Sequence, residues 1–122
     1  MNIKLEGPKK YDLEQRTETF SLAIRDFCLS LKRDIINREY IIQLVRSAGS
    51  IAANYIEANE NLGKNDLKMR IKICRKEAKE SRQWLKHVLK YEISELEIRR
   101  NVFIQETIEL EKIFGAILKK LV

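Results

Sequence analysis

Apolar residues recur along this chain at steps of three and four, the spacing that gathers them on one side of an α-helix. Leu13, Thr17, Phe20, Ile24, Phe27 and Leu31 form the first stripe and predict a helix over about residues 12–32. Asp12 stands where an N-cap belongs, and Gln15 completes a capping box. A polar break at Lys32-Arg33-Asp34 and Asn37-Arg38 leads to a second helix over about 37–60, with a core stripe of Ile41, Leu44, Val45, Ala48, Ile51, Ala52 and Tyr55. Asn59, Asn61 and Gly63 make the next stop. Gly63 can cap a third helix over about 64–91, with Asp66 in the first turn where the helix dipole favours an anion. Its predicted core stripe is Leu67, Ile71, Cys74, Ala78, Leu85 and Leu89. Ser94 followed by Glu97 reads as a capping box for a fourth helix over about 95–120, with Val102, Ile108, Ile113, Ile117 and Leu121 facing inward.

No stretch alternates in the manner of a strand, and no internal repeat is present. Four amphipathic helices on short connections predict an all-α fold, an up-down-up-down antiparallel four-helix bundle. Residues 12–122 form one domain, and residues 1–11, with Gly7, Pro8, Lys9 and Lys10, are expected to be an extended arm. A chain of 122 residues with 44% apolar and 34% charged side chains can build a real core.

Charge sharpens the picture because it is unevenly placed. Of a net charge of +6, residues 64–90 hold ten Lys or Arg against three Asp or Glu, and the remainder is close to neutral. Lys68, Lys72, Arg75, Lys79, Arg82, Lys86 and Lys90 follow one another at steps of four and three. On a helix they occupy one side over about 33 Å. Like charges at such spacing repel, so the stripe is a candidate surface for a polyanion. The plainer reading is a solvated face partly paired with the acidic fourth helix, through Glu95, Glu97, Glu106, Glu109 and Glu111.

The second and third helices also carry a second face. Arg46, Ser50, Ala53 and Glu57, with Glu39, lie opposite the core stripe of the second. Met69, Ile73, Glu77, Trp84 and Tyr91 form a separate side of the third. Aromatic anchors of this kind are enriched at interfaces. These residues are candidates for self-association, with an Arg46–carboxylate contact inside a subunit or between subunits. Alternatively they thicken the core and rim of a monomer.

Two segments carry a resemblance. They are Arg46-Ser47-Ala48-Gly49-Ser50-Ile51-Ala52-Ala53-Asn54-Tyr55-Ile56-Glu57-Ala58 and Lys76-Glu77-Ala78-Lys79-Glu80-Ser81-Arg82-Gln83-Trp84-Leu85. Both resemble the four-helix bundle proteins encoded in intervening sequences of bacterial 23S ribosomal RNA genes. That group includes the accessory variability determinant proteins of diversity-generating retroelements. The resemblance extends over about residues 12–118. It implies a bundle that assembles into a ring, typically a homopentamer, with a positive surface and nucleic-acid association. For the retroelement branch it implies partnership with a reverse transcriptase.

Enzymatic chemistry finds little to stand on. His87 is the single histidine, so neither a His-rich zinc site nor a di-iron bundle can be built in one chain. Ser47 and Ser50 have no nearby histidine to act as base. Glu57, Glu77 and Glu80 could hold Mg²⁺, but neighbouring Arg and Lys would satisfy them more readily. No glycine-rich phosphate loop is present. No metal and no cofactor are expected. Cys28 and Cys74 fall on apolar faces and read as buried free thiols. With no signal-peptide pattern and no membrane-spanning apolar run, a cytoplasmic protein is expected. The function expected is non-enzymatic binding of RNA or DNA with low sequence specificity by an oligomer. The competing class is an oligomeric protein-interaction scaffold, such as an accessory subunit of a reverse transcriptase.

Overall fold

The computed structural model describes the backbone from Lys10 to Val122 and the side chains from Leu13 onward. Apart from the backbone of its last two residues, the predicted arm lies outside the described residues, as does the Asp12 side chain. The described residues form four helices in sequence: α1 (Lys10–Leu29), α2 (Ile35–Asn59), α3 (Lys64–His87) and α4 (Ser94–Lys120). Each packs on its chain neighbours, and α1 closes on α4, so the core lies between all four. That is the packing order of an up-down bundle.

The predicted stripe is the core face of α1: Leu13, Thr17, Phe20, Ile24 and Phe27 are buried, as is Leu31 just past the end of the helix. Thr17 joins it without an orphaned hydroxyl because it donates to the Leu13 carbonyl at 2.8 Å. Leu44, Ala48, Ile51 and Tyr55 fill the centre from α2, and Leu67, Ile71, Cys74, Ala78 and Leu85 from α3. Val45 and Leu89 are exposed instead of buried, and Val88 takes the core position expected of Leu89.

The inner face of α4 matches the predicted one in part: Ile113, Ile117 and Leu121 pack partly buried against the core. Val102 is 61% exposed, and Leu96, Thr107, Leu110 and Phe114 are the buried residues. This helix carries aliphatic side chains nearly all round, so its periodicity singles out no face. Aromatic packing decides the rotation: Phe103 meets Phe20 and Phe27 edge-on, with centroids 6.3 and 5.4 Å apart.

Helix ends also moved for local reasons. Asp34, outside the predicted second helix, is the N-cap of α2 and accepts from the Ile36 and Asn37 amides at 3.1 and 2.8 Å. Ile93 occupies the N-cap position of α4 with no side-chain cap, so Ser94 and Glu97 do not form the expected box. Gly63 does cap α3, at φ +131°, where a side chain would be strained. Beyond His87 the chain leaves helical geometry, and Asn37 explains where. Fully buried, its side chain donates to the carbonyls of Lys32 and Leu89, each at 2.9 Å, and accepts from the Leu89 amide at 2.7 Å. One amide thereby ties the α1–α2 loop to the α3–α4 loop at the same end of the bundle. Tyr91 reinforces the tie by donating its hydroxyl to Asp34.

Candidate nucleic-acid interface

The outer side of α3 is a cationic ridge. Each predicted cation from Lys68 to Lys86 follows a core residue by one position, which rotates it about 100° away from the core and toward α4. Lys72, Lys79 and Lys86 are exposed, and Lys68 and Arg75 are half-buried. These five have no ion-pair partner within 4 Å among the described residues.

Two members of the predicted stripe stand apart. Arg82 is only 19% exposed and binds Glu111 of α4 at 2.5 Å. Lys90 lies past the end of α3 and pairs with Glu97 at 3.4 Å. Lys76 joins the ridge in their place. With Asn65, Lys68, Met69, Lys72 and Ile73 it lines an open groove of about 360 Å³. Its step of four from Lys72 was the available signal, but it drifts off the straight stripe.

The acidic residues of α4 are occupied elsewhere. Glu106 and Glu109 hold Arg16 of α1 at 2.7 and 2.9 Å, and Glu95 pairs with Arg99 at 3.7 Å. Glu97 meets Arg100 at 3.6 Å as well as Lys90. The hydrogen bond to Glu106 above all raises the Arg16 guanidinium pKa still further, and the hydrogen bond from Arg16 lowers that of Glu109. Of the five candidate counter-ions, only Glu97 and Glu111 reach the stripe, and they reach its two outlying members. Among the described residues the six remaining cations have no ion-pair partner. A surface of this kind concentrates anions and contacts phosphates without reading bases.

The second face occupies the opposite flank of α3, in the groove with α2. Much of it is a polar seam within the chain. Ser50 donates to Glu77, and Asn54 donates to the Ser50 hydroxyl at 3.0 Å. Arg70 in turn donates to Asn54 at 3.1 Å and lies between Asp66 and Glu57, at 3.6 and 3.9 Å. Ile73 is half-buried, and Trp84 stacks on Tyr40 with centroids 6.0 Å apart. His87 meets both rings edge-on. Arg46 and Ala53 are exposed, and Arg46 has no ion pair among the described residues, with Glu77 or any other carboxylate.

Comparison with known proteins returns no match to a family model, a curated protein or a solved structure. The geometry therefore carries the argument from here. Among the described residues no group of three or more His, Cys, Asp or Glu stands close enough to hold a metal ion. No described helix is long and apolar enough to cross a membrane. Ser47 and Ser81 share a buried hydrogen bond at 2.8 Å between α2 and α3, so Ser47 is a packing residue. Cys28 and Cys74 are free and buried, and desolvation pushes both thiols up to about 12, far from thiolate reactivity.

The Glu77 carboxyl of this seam is held above its ordinary range. Burial is the largest cause, and a hydrogen bond shared with Glu80 adds to it. The folded chain thus binds this proton more tightly than the unfolded chain. Its contribution to stability is present at low pH and is lost as pH rises above the ordinary carboxylate range. Glu77→Gln should make the protein more stable at neutral pH than the parent, with the advantage shrinking on acidification. Urea unfolding at pH 4.5 and pH 7.5 checks this, and an advantage of equal size at both would refute it.

Proposed function

We propose that this chain is a non-enzymatic nucleic-acid-binding protein that grips the phosphates of RNA or DNA along the outer ridge of α3, with low sequence specificity. What carries the reading is the absence of internal counter-ions for Lys68, Lys72, Arg75, Lys76, Lys79 and Lys86 among the described residues, although an acidic helix lies next door. Phosphate contacts supply affinity without sequence information, and no recognition helix set for base contacts accompanies them. The ridge has no aromatic residue interleaved, so backbone tracking suits it better than base stacking.

The resemblance of the α2 and α3 segments to the intervening-sequence and accessory variability determinant proteins adds the expectation of a ring, typically five subunits. A ring would multiply the ridge and turn weak single contacts into avidity. In the retroelement branch such a ring would serve a reverse transcriptase. Arg46, exposed and without an ion pair among the described residues, is the residue on which such an interface would draw. Arg46→Met should lower the solution mass without altering the monomer fold, and an unchanged mass would remove Arg46 from the interface.

The deciding experiment is binding of the purified protein to labelled structured RNA and duplex DNA across a salt series, with its mass recorded alongside. Tight binding with a steep salt slope is the expected result. A well-folded oligomer that binds neither at low salt would transfer the basic ridge to an acidic protein partner.

A further inference from the structure

A separate surface of α2 carries a pattern that the core does not use. Arg38, Ile42, Val45, Gly49, Ala53, Ile56 and Glu60 lie on one outer stripe, turned away from both the core and α3. Ile42, Val45 and Ile56 are each about half exposed, although all are large aliphatics. Read outward from Gly49, the stripe is complementary in the two directions. Val45 mirrors Ala53, Ile42 mirrors Ile56, and the cation Arg38 mirrors the anion Glu60. We propose that α2 packs antiparallel on α2 of a second copy about a two-fold axis through Gly49, with Ile42 against Ile56 and Arg38 against Glu60 at both ends.

Three features of the monomer fit that partner. An interior helical glycine is less favourable than alanine, yet nothing inside the chain requires one here. A Cβ at Gly49 would meet only the Ser21 hydroxyl, at an ordinary 3.9 Å, and the backbone is not in the left-handed region. At a helix crossing, however, the missing side chain lets two backbones approach. Arg38 in the first turn and Glu60 at the C-cap also oppose the helix dipole, and neither has an ion-pair partner among the described residues. In an antiparallel pair each would face its opposite. An isologous contact is self-complementary by symmetry, which is what the mirrored stripe provides. The stripe shares Ala53 with the second face but contains neither Arg46 nor Trp84, so Ile42→Glu and Arg46→Met probe different flanks of α2.

The test is the solution mass of the full chain by sedimentation equilibrium. Ile42→Glu should halve the mass of the wild-type assembly while helical circular dichroism stays unchanged. Gly49→Ala should raise the melting temperature of the subunit and yet weaken association. Arg38→Glu and Glu60→Arg should each weaken association by about tenfold, and the double variant should restore it. Both swaps favour the helix dipole, so neither weakens the fold on its own account. A monomeric wild type, an assembly untouched by Ile42→Glu, or a double variant as weak as its parents would overturn the proposal. A loss of mass with Arg46→Met but not with Ile42→Glu would leave the ring reading standing and remove this one.

Discussion

Asn37→Ala should lower the unfolding free energy by about 3 kcal/mol, the largest effect expected of any polar side chain in the bundle. Its amide satisfies three backbone groups at once: the Lys32 carbonyl, the Leu89 carbonyl and the Leu89 amide. All three sit at the end of the bundle where two loops meet, and the side chain is fully buried. Truncation leaves a void and strands those groups, at about 1–3 kcal/mol for each that water cannot reach. Urea denaturation should show a lower midpoint with an unchanged slope, since the surface exposed on unfolding stays the same. Asn37→Asp keeps the acceptor for Leu89 but loses both donors, so it should fall below the parent as well. A loss under about 1 kcal/mol in the alanine variant would mean that solvent enters the site and replaces the amide.

Replacing Lys72, Lys79 and Lys86 together by Glu should abolish polyanion binding at physiological salt while leaving the bundle folded. Those three are, with Lys76, the exposed members of the ridge and are unpaired among the described residues, so their removal breaks no ion pair there. Three phosphate contacts fewer should make the slope of log affinity against log salt shallower by about 3 for duplex DNA. Affinity itself should fall by about a hundredfold or more, because attraction becomes repulsion at three points. Arg82 does not belong in that variant. A glutamate there would face Glu111 in a half-buried position and unsettle the packing of α3 on α4. A triple variant that binds as tightly as the parent would place the polyanion elsewhere on the surface.

The architecture was legible wherever one face of a helix is apolar and the other is not. The core of α1 and the central core residues of α2 and α3 follow from spacing alone, as does the Gly63 cap. Helix α4 was legible at its C-terminal half, where Ile113 and Ile117 pack on the core, but not before it, because Ile98, Val102, Ile104 and Ile108 offer several apolar faces and tertiary contacts such as Phe103 against Phe20 and Phe27 select one. The loop end was not legible either. Asn37 reads in sequence as part of a polar break, yet its partners in the α3–α4 loop lie 52 positions away. No local pattern announces a hydrogen bond across such a distance.

The candidate ridge divides in the same way. Sequence alone determined that the positive charge is concentrated on one helix, because charge spacing and helical pitch suffice to put Lys68, Lys72, Arg75, Lys79 and Lys86 on one side. Tertiary structure alone decided which cations remain available. Glu111 claims Arg82 and Glu97 claims Lys90, whereas Lys76 enters the groove beside Lys68 and Lys72. Whether a charge is free depends on what the neighbouring helix presents at that height, and that is set by the rotation and register of α4, which its packing through Phe103, Leu110 and Phe114 fixes.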